Sequence, residues 1–443
     1  MVSPDRCVSP LPKTFTTTYA RANIFVPVGN AAPVVSEVRM STQVATPEIP
    51  ARLRRARTAL LVGFLLQGVT FALLVTRIPG IQRHYGLSDG TLTIFLAAVP
   101  ILAGVGSITS EQIVKRTSPR SVLRIVQPLL CLTLTGVGLG GTLWELGLSL
   151  AAFGLLVGAL DASMNMLGVG LQHRYGRSIM LGFHAAFSLG GIIGALLASA
   201  GSHLSLFTLF GASMAVVIPA VLLAGRHLAG PAELGDAVRA ATAAAARSIP
   251  WKPLLPLCAA MAFAYIADST VSNWSAKYLT ETLHSSDQVA ALAYAGYMVA
   301  LLLGRAFGDR GVQRWGAETV VRTGAGVAAL GFGIAALAPA PWAGIAGFTV
   351  LGLGICAIIP QVFAAGGRLF PEDSDAAVAR LNLFNYVGFL VGSPLVGAIA
   401  GASSYRWALL APMVLVLAVV PLAGHFAPAP VRSIPLDHAP SRA

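Results

Sequence analysis

Two carboxylates lie inside long apolar runs of this sequence. Asp161 stands in LLVGALDASMNML and Asp268 in AYIADSTVSNWSAKYL. An ionisable side chain inside a membrane is costly and marks a functional site by default, and a carboxylate removed from water favours its protonated form and can exchange a proton. Asn165 follows Asp161 by four residues, so both project from one helical face. We predict proton coupling at Asp161 and Asp268; the alternative is a hydrogen-bonded structural aspartate at either position.

Neutral polar and aromatic side chains recur at comparable depth in the apolar runs. Taken singly, each is more often a hydrogen-bonding contact between helices than a ligand contact. Together, amides and aromatic rings suit a polar solute that carries hydroxyl or amide groups. Trp274 has a second interpretation, as an anchor at the membrane interface. The candidate substrate-lining residues are Gln67, Asn165, His184, Asn273, Trp274, Tyr294, Tyr297, Gln361, Asn382 and Asn385.

A third group of charged residues lies in GRAFGDRGVQRWGAE. Its acidic side chain, Asp309, stands among the guanidinium groups of Arg305 and Arg314, and a weaker copy earlier in the chain holds Glu111 and Arg116. Ion pairs that form in one access state and break in the other would gate a carrier. We predict a gate built from these five residues; the alternative is that the charges only set the topology.

The apolar runs that position these residues are long enough to cross a membrane. Of the 443 residues, 55% are hydrophobic and only 11% are charged, whereas a soluble domain carries roughly 25% charged residues. About 20 apolar residues cross the ~30 Å hydrocarbon core of a bilayer. The runs predict an all-α membrane protein with twelve transmembrane helices, at about 57–77, 90–110, 120–141, 144–168, 179–201, 205–225, 253–275, 288–308, 318–338, 342–365, 379–401 and 405–426.

The basic residues indicate the orientation. If the N-terminus is inside, the outer side keeps only four of the 30 Lys and Arg residues, Arg77, Arg83, Lys277 and Arg406. Lys and Arg concentrate in cytoplasmic loops, so we predict a protein of the inner (plasma) membrane with both termini in the cytoplasm. The same rule accounts for the net charge of +12. No basic stripe is interleaved with aromatic residues, which argues against nucleic-acid binding.

The sequence repeats itself at a constant offset of 198 residues, at which Asp89 corresponds to Asp287 and Gly106 to Gly304. Each copy holds six spans, so both halves have the same topology; parallel repeats of this kind are a transporter architecture with the substrate site between the halves. The predicted organisation is a disordered cytoplasmic segment at 1–56, six-helix bundles at 57–226 and 253–426, a cytoplasmic linker at 227–252 and a cytoplasmic tail at 427–443.

Other functional classes lack their residues in this sequence. The four cysteines, Cys7, Cys131, Cys258 and Cys356, show no CxxC spacing, so we predict neither a disulfide nor a metal site. No P-loop sequence occurs, which argues against an ATP-driven pump, and we expect no cofactor and no enzymatic activity. We also expect translation to start at Met40, because the residues after it read as a short lead into the first helix.

The motifs together resemble the major facilitator superfamily. The run GRAFGDRGVQRWG is similar to that superfamily's loop motif after the second and eighth helices. TRIPGIQRHYGLSDGTL, GALDASMN and IMLGFHAAFSLGG resemble more closely its YbjJ-type inner-membrane branch, which is related to the fucose:proton symporter. The resemblance implies two parallel six-helix repeats and a proton-coupling role for Asp161 and Asn165, which match an acidic residue and an asparagine in that symporter's fourth helix. Gln67 stands in the first span, where that symporter has a further acidic residue.

We therefore predict a secondary active transporter that moves a small polar solute, sugar-like or a related metabolite, by alternating access. Protons are the expected coupling ion, and a monomer in the lipid bilayer is the expected form. The alternative is proton-driven efflux of drugs or metabolites on the same fold, which a wide apolar pocket would favour. A membrane enzyme or receptor would need clustered His, Asp and Glu residues or a soluble domain, and neither occurs. The sequence names neither the solute nor the direction.

Overall fold

The computed structural model describes residues 16–24, 36–44, 49–176, 179–234, 243 and 248–427. The chain forms two units, Met1–Arg54 and Arg55–Ala443. In the first unit, strands β1 (Thr16–Ile24) and β2 (Ser36–Val44) form an antiparallel pair. This pair lies in the segment predicted to be disordered. The β-branched and aromatic residues of TTTYARANI favour extended backbone, a local preference that the polarity of the whole segment obscured.

Twelve helices in the described part of the chain are long and apolar enough to cross a membrane, as the sequence predicted. We number them as spans in chain order: Ala51–Thr76, Asp89–Val114, Pro119–Leu139, Leu143–Tyr175, Met180–Ala200, Leu206–His227, Lys252–Glu281, Asp287–Gly308, Arg310–Ala336, Pro341–Leu369, Ala376–Ala402 and Tyr405–Phe426. Spans one to six are called the N half, and spans seven to twelve the C half. The described part of the second unit is an all-α membrane protein fold built as two parallel six-helix repeats.

Several spans consist of more than one helical segment or extend past the apolar window. Span two continues to Arg116, and spans eight and nine follow each other within Asp287–Ala336, which is broken at Gly316. The remaining segment bounds are Lys252–Leu254 and Leu255–Glu281 in span seven, Pro341–Ile355 and Ile358–Leu369 in span ten, Pro371–Asp373 and Ser374–Ala402 at span eleven, and Tyr405–Ala408, Leu410–Leu417, Val419–Leu422 and Ala423–Phe426 in span twelve.

The main departures from the predicted spans lie between helices. A short helix, Ile78–Tyr85, follows span one and ends at Gly86, whose φ of 62° is a left-handed conformation that glycine adopts without steric cost. The helix of span eight runs on through the charged loop motif, from which span nine is counted at Arg310, and breaks at Gly316, where φ is 80°; this break lies next to the predicted start of span nine near residue 318. Residues 235–242 and 244–247 of the predicted linker lie outside the described residues.

The repeated glycines mark places where two helices of one half touch. An ideal Cβ at Gly106 of span two would lie 1.9 Å from the carbonyl oxygen of Leu155 in span four. Its repeat partner, Gly304 of span eight, would bring a Cβ to 2.2 Å from Cys356 Sγ in span ten. Small residues let membrane helices approach closely, where packing replaces the hydrophobic effect as the source of association. The sequence repeat therefore reflects equivalent helix crossings in the two halves.

The halves meet along span five and span eight on one side. Ser199 Oγ donates a hydrogen bond of 2.9 Å to the carbonyl oxygen of Gln288. Further along the same pair of spans, an ideal Cβ at Gly191 would lie 3.0 Å from Met298 Cγ. A second contact joins span two to span eleven, where Gly397 approaches the side chain of Thr93. Between these two lines of contact, a space remains between the halves.

Candidate functional site

A central cavity of about 1520 Å³ occupies the space between the halves. Near one end its wall includes Ile78 and Leu87, and near the other it includes Thr117, Gly230 and Leu234. Drug-sized ligands occupy pockets of roughly 300–1000 Å³, so the cavity has room for a small solute together with water. Its wall carries polar groups from both halves, and these form the candidate site.

Asp161 lies in the cavity wall on span four and contacts the opposite half. Tyr386, on span eleven, has its hydroxyl 3.5 Å from Asp161 Oδ2, to which it donates. Gln67 of span one interacts with the same carboxylate. Asn165 points its amide back along the helix, where Nδ2 donates 2.9 Å to the Asp161 carbonyl oxygen. The carboxylate therefore has hydrogen-bonding partners in both halves.

Asp268 lies in the same wall on span seven. The hydroxyl of Tyr297 on span eight donates a hydrogen bond to Asp268 Oδ1, and the charge of Arg305 acts on the same carboxylate. The ring of Tyr294 lies 6.2 Å from that of Tyr297. This carboxylate is therefore held by span eight of its own half, whereas Asp161 reaches across the cavity.

Arg305 was predicted as part of a cytoplasmic gate, but the structure places it in the cavity wall. Its Nη1 donates 2.6 Å to Ser188 Oγ and 3.1 Å to the carbonyl oxygen of His184, both on span five of the N half. The helix of span eight continues past Arg305, so the later residues of the loop motif lie further along the helix axis, by about 1.5 Å per residue. Arg305 is thus a cation that bridges the two halves within the cavity.

The other predicted gate residues are spread over the surface. Arg116 and Arg314 are exposed, and Glu111 is exposed at the cavity wall. The guanidinium of Arg314 lies over the ring of Trp315 at 5.6 Å. The side chain of Asp309 lies outside the described residues. The gate at this end stays a prediction.

Most of the predicted substrate-lining residues do face the cavity. They are Gln67, Asn165, His184, Asn273, Tyr294, Tyr297, Asn382 and Asn385. Gln67 Oε1 is buried and has no hydrogen-bond partner in the described part of the chain, so it is available to a solute that donates. Trp274 and Gln361 are buried elsewhere: the ring of Trp274 lies 5.9 Å from that of Tyr405. Aromatic rings that the sequence did not single out, Phe64 and Phe389, complete the wall.

A buried lysine joins the halves at the end where spans one and seven finish, which we call the latch end. Lys277 is 0% exposed, and its ammonium lies 2.8 Å from Asp89 Oδ1, at the start of span two in the opposite half. It also donates to Gln82 of the N half and, at 2.6 Å, to Glu281 of its own span. Tyr405 places its hydroxyl 3.5 Å from Asp89 Oδ2.

A second set of ion pairs also joins the halves at the latch end, but here the cations belong to the N half and the carboxylate to the C half. Arg77 and Arg83 of the N half both bind Oδ2 of Asp287, at the start of span eight; the Arg77 contact is 3.4 Å long. Arg77 is only 5% exposed and also donates 3.2 Å to the carbonyl oxygen of Ser202. Burial lowers the pKa of the Arg77 guanidinium, and the Asp287 carboxylate partly offsets this. The sequence showed these residues only as topology charges and repeat positions.

Among the described residues, no group of His, Cys, Asp and Glu side chains could hold a metal ion. Cys131, Cys258 and Cys356 are buried free thiols. In the part of the chain that the structure describes, the cavity wall offers carboxylates, amides, hydroxyls and the guanidinium of Arg305. Such an arrangement can bind a solute and exchange protons.

Comparison with known proteins finds similar membrane proteins. Residues 257–440 match the family model described as Major Facilitator Superfamily. An uncharacterised MFS-type transporter of Yersinia pestis is 29% identical over 77% of this chain and 88% of its own length. The uncharacterised transporter y4wD of Sinorhizobium fredii is 28% identical, covering 81% and 96%, and membrane protein MosC of Rhizobium meliloti is 25% identical, covering 80% and 86%.

The fold is similar to that of a solved transporter structure. A bacterial homologue of the human lysosomal transporter Spinster, crystallised in an inward-facing and occupied conformation, superposes with a TM-score of 0.64 at 14% identity. The alignment covers 86% of this chain and 97% of that one. The matched region, the relatives and the fold all make this chain similar to multi-pass membrane transporters, which are not enzymes.

Proposed function

We propose that the chain is a proton-coupled secondary active transporter that moves a small polar solute across the inner membrane by alternating access. The observation that carries the proposal is the central cavity, which is bridged by ion pairs at the latch end and has buried carboxylates in its wall. Alternating access requires that one end closes while the other opens around a fixed site. Both termini are then cytoplasmic, and the latch end faces the periplasm, as the distribution of Lys and Arg indicates.

The proposed coupling step is proton binding at Asp161. An ionised carboxylate accepts hydrogen bonds, and a protonated one must also donate. Since Tyr386 of the C half donates to Asp161 of the N half, protonation changes a contact that joins the halves. Asp268 and Tyr297 form a second proton-binding pair within the C half. Proton binding is thereby linked to the relative position of the halves.

The charges of the cavity favour a neutral polar solute over an anion. Among the described lining residues, three carboxylates, Glu111, Asp161 and Asp268, outnumber the single guanidinium of Arg305. That guanidinium already donates to Ser188 and His184, so an anionic solute would meet like charge in a site of low polarity. The unpartnered amide oxygen Oε1 of Gln67 suits a solute with hydroxyl groups, which can donate to it. The resemblance to the fucose:proton symporter supports proton-driven import as the direction.

Proton-driven efflux is the second candidate. The apolar part of the cavity wall, with rings such as Phe64, Phe187 and Phe389, would also accept an amphipathic compound. The direction of proton movement separates the two functions. In import, solute and proton move together into the cytoplasm; in efflux they move in opposite directions.

Purified protein in proteoliposomes with a trapped pH dye tests the proposal. Neutral sugars and polyols, the matching sugar acids and amphipathic drugs are added outside in turn, after a thermal-shift screen for binding. We expect that uptake of a neutral polar solute into the lumen is accompanied by uptake of protons, which the dye records as a fall in the luminal pH. Accumulation of a solute without proton movement would contradict the coupling, and proton release on drug uptake would favour efflux.

A further inference from the structure

We propose that the latch end is closed by two reciprocal ion-pair sites, and that removing either inter-half pair opens this end of the carrier. In each site an aspartate at the first position of span two or span eight binds a cation from the other half. Asp89 of the N half holds Lys277, and Asp287 of the C half holds Arg77 and Arg83. The proposal rests on alternating access as the proposed mode of transport.

The reciprocity has its origin in the sequence repeat. Asp89 and Asp287 are equivalent residues at the 198-residue offset. Each follows a serine that caps its helix: Ser88 Oγ accepts from the Thr91 amide at 3.2 Å, and Ser286 Oγ from the Val289 amide at 3.4 Å. A carboxylate in the first turn is favoured by the helix dipole. The fold therefore places one fixed anion from each half at the seam.

Each buried cation also has a partner within its own half. Lys277 pairs with Glu281 one turn along span seven, and Arg77 donates to the carbonyl oxygen of Ser202. A buried charge left without any partner would be strongly unfavourable. Because the own-half partners move with their cations, separation of the halves takes Asp89 and Gln82 from Lys277 and Asp287 from Arg77, and each cation keeps one partner. The arrangement stabilises the closed end and still permits it to open.

Glu281 supplies a matched control for the inter-half pairs. It binds the same ammonium as Asp89 and is similarly exposed, 44% against 45%. Asp89→Asn removes a pair across the halves, whereas Glu281→Gln removes a pair within one span. If net charge alone mattered, the two variants would behave alike.

Double electron–electron resonance of the full chain in nanodiscs measures the opening directly. Spin labels are placed at Gly141 in the N half and Gly401 in the C half, where a Cβ meets no atom within 4 Å, after the native cysteines are replaced. We expect Asp89→Asn and Asp287→Asn each to raise the ratio of long to short distances about tenfold, which corresponds to ~1.4 kcal/mol. Glu281→Gln should leave the ratio unchanged or lower it.

An unchanged distance distribution in both aspartate variants, or equal opening in Glu281→Gln, would overturn the proposal. Arg83→Gln provides a second route should an aspartate variant fail to fold, because this side chain is 59% exposed; it too should increase the long distances. The measurement uses neither solute nor proton gradient. A negative result would therefore refute the proposed role of the ion pairs without contradicting the proposed transport function.

Discussion

Replacing Gly158 with alanine should impair transport by moving span four away from span two. An ideal Cβ at Gly158 would lie 1.8 Å from the carbonyl oxygen of Ala103 and 2.5 Å from its carbonyl carbon. Real Cβ contacts stay above 3.0 Å, and a backbone carbonyl cannot rotate aside. The two helices must therefore separate by about 1 Å at this crossing, a strain typical of overpacking.

Two opposing effects decide the outcome of this substitution. Alanine favours a helix over glycine by about 1 kcal/mol, while overpacking costs roughly 1–3 kcal/mol and occasionally more. The short contact distances at Gly158 indicate an overpacking cost near the upper end of this range. The steric cost should therefore exceed the gain in helix propensity. Asp161 lies less than one turn further along span four, and its contact with Tyr386 is already 3.5 Å long. A shift of about 1 Å would break that hydrogen bond.

We expect Gly158→Ala to lower proton-driven solute accumulation at least tenfold, or ~1.4 kcal/mol, and to lower the apparent melting temperature. Uptake is measured in proteoliposomes, and melting by fluorescence in detergent. Gly104→Ala is the matched control, since a Cβ at this neighbouring glycine of span two meets nothing within 4 Å. Equal melting temperature and equal accumulation in the two variants would refute the packing argument.

Two further predictions concern topology and the opposite end of the carrier. A cysteine at Arg83, which is 59% exposed, should react with an impermeant maleimide added to intact cells, and a cysteine at Arg116 should not; labelling at position 116 would reverse the orientation. Asp309→Asn should bias the carrier towards opening at the cytoplasmic end by about 1 kcal/mol, the scale of a partly exposed ion pair, with a smaller effect for Glu111→Gln. Spin-label distances between the cytoplasmic ends of spans two and eight measure this, and an unchanged distribution in Asp309→Asn would leave the cluster as topology charge.

The spans were predictable because their signal is local. Runs of apolar residues ended by serine caps or glycines mark a helix wherever the rest of the chain lies, so span twelve was predicted at 405–426 and is Tyr405–Phe426. The four-residue spacing of Asp161 and Asn165 likewise placed both in the cavity wall. In each case the prediction needed only helix geometry.

The latch end was not predictable in the same way. Lys277 and Asp89 are 188 residues apart in the chain, and their contact depends on how the two halves dock. Rotation about a helix axis is a second source of error: Asn273 faces the cavity, but Trp274 is turned by about 100° and packs near Tyr405 instead. Sequence periodicity cannot fix that angle in span seven, because its polar residues are not confined to one face of the helix.

Asp161→Asn tests the central claim of proton coupling most directly. The neutral amide imitates the protonated carboxyl group, so the carrier should still alternate between its two access states with solute bound. We predict that solute counterflow in proteoliposomes continues at a rate close to that of the unmodified protein, while accumulation driven by a pH gradient is abolished. Undiminished uphill accumulation by Asp161→Asn would contradict the account.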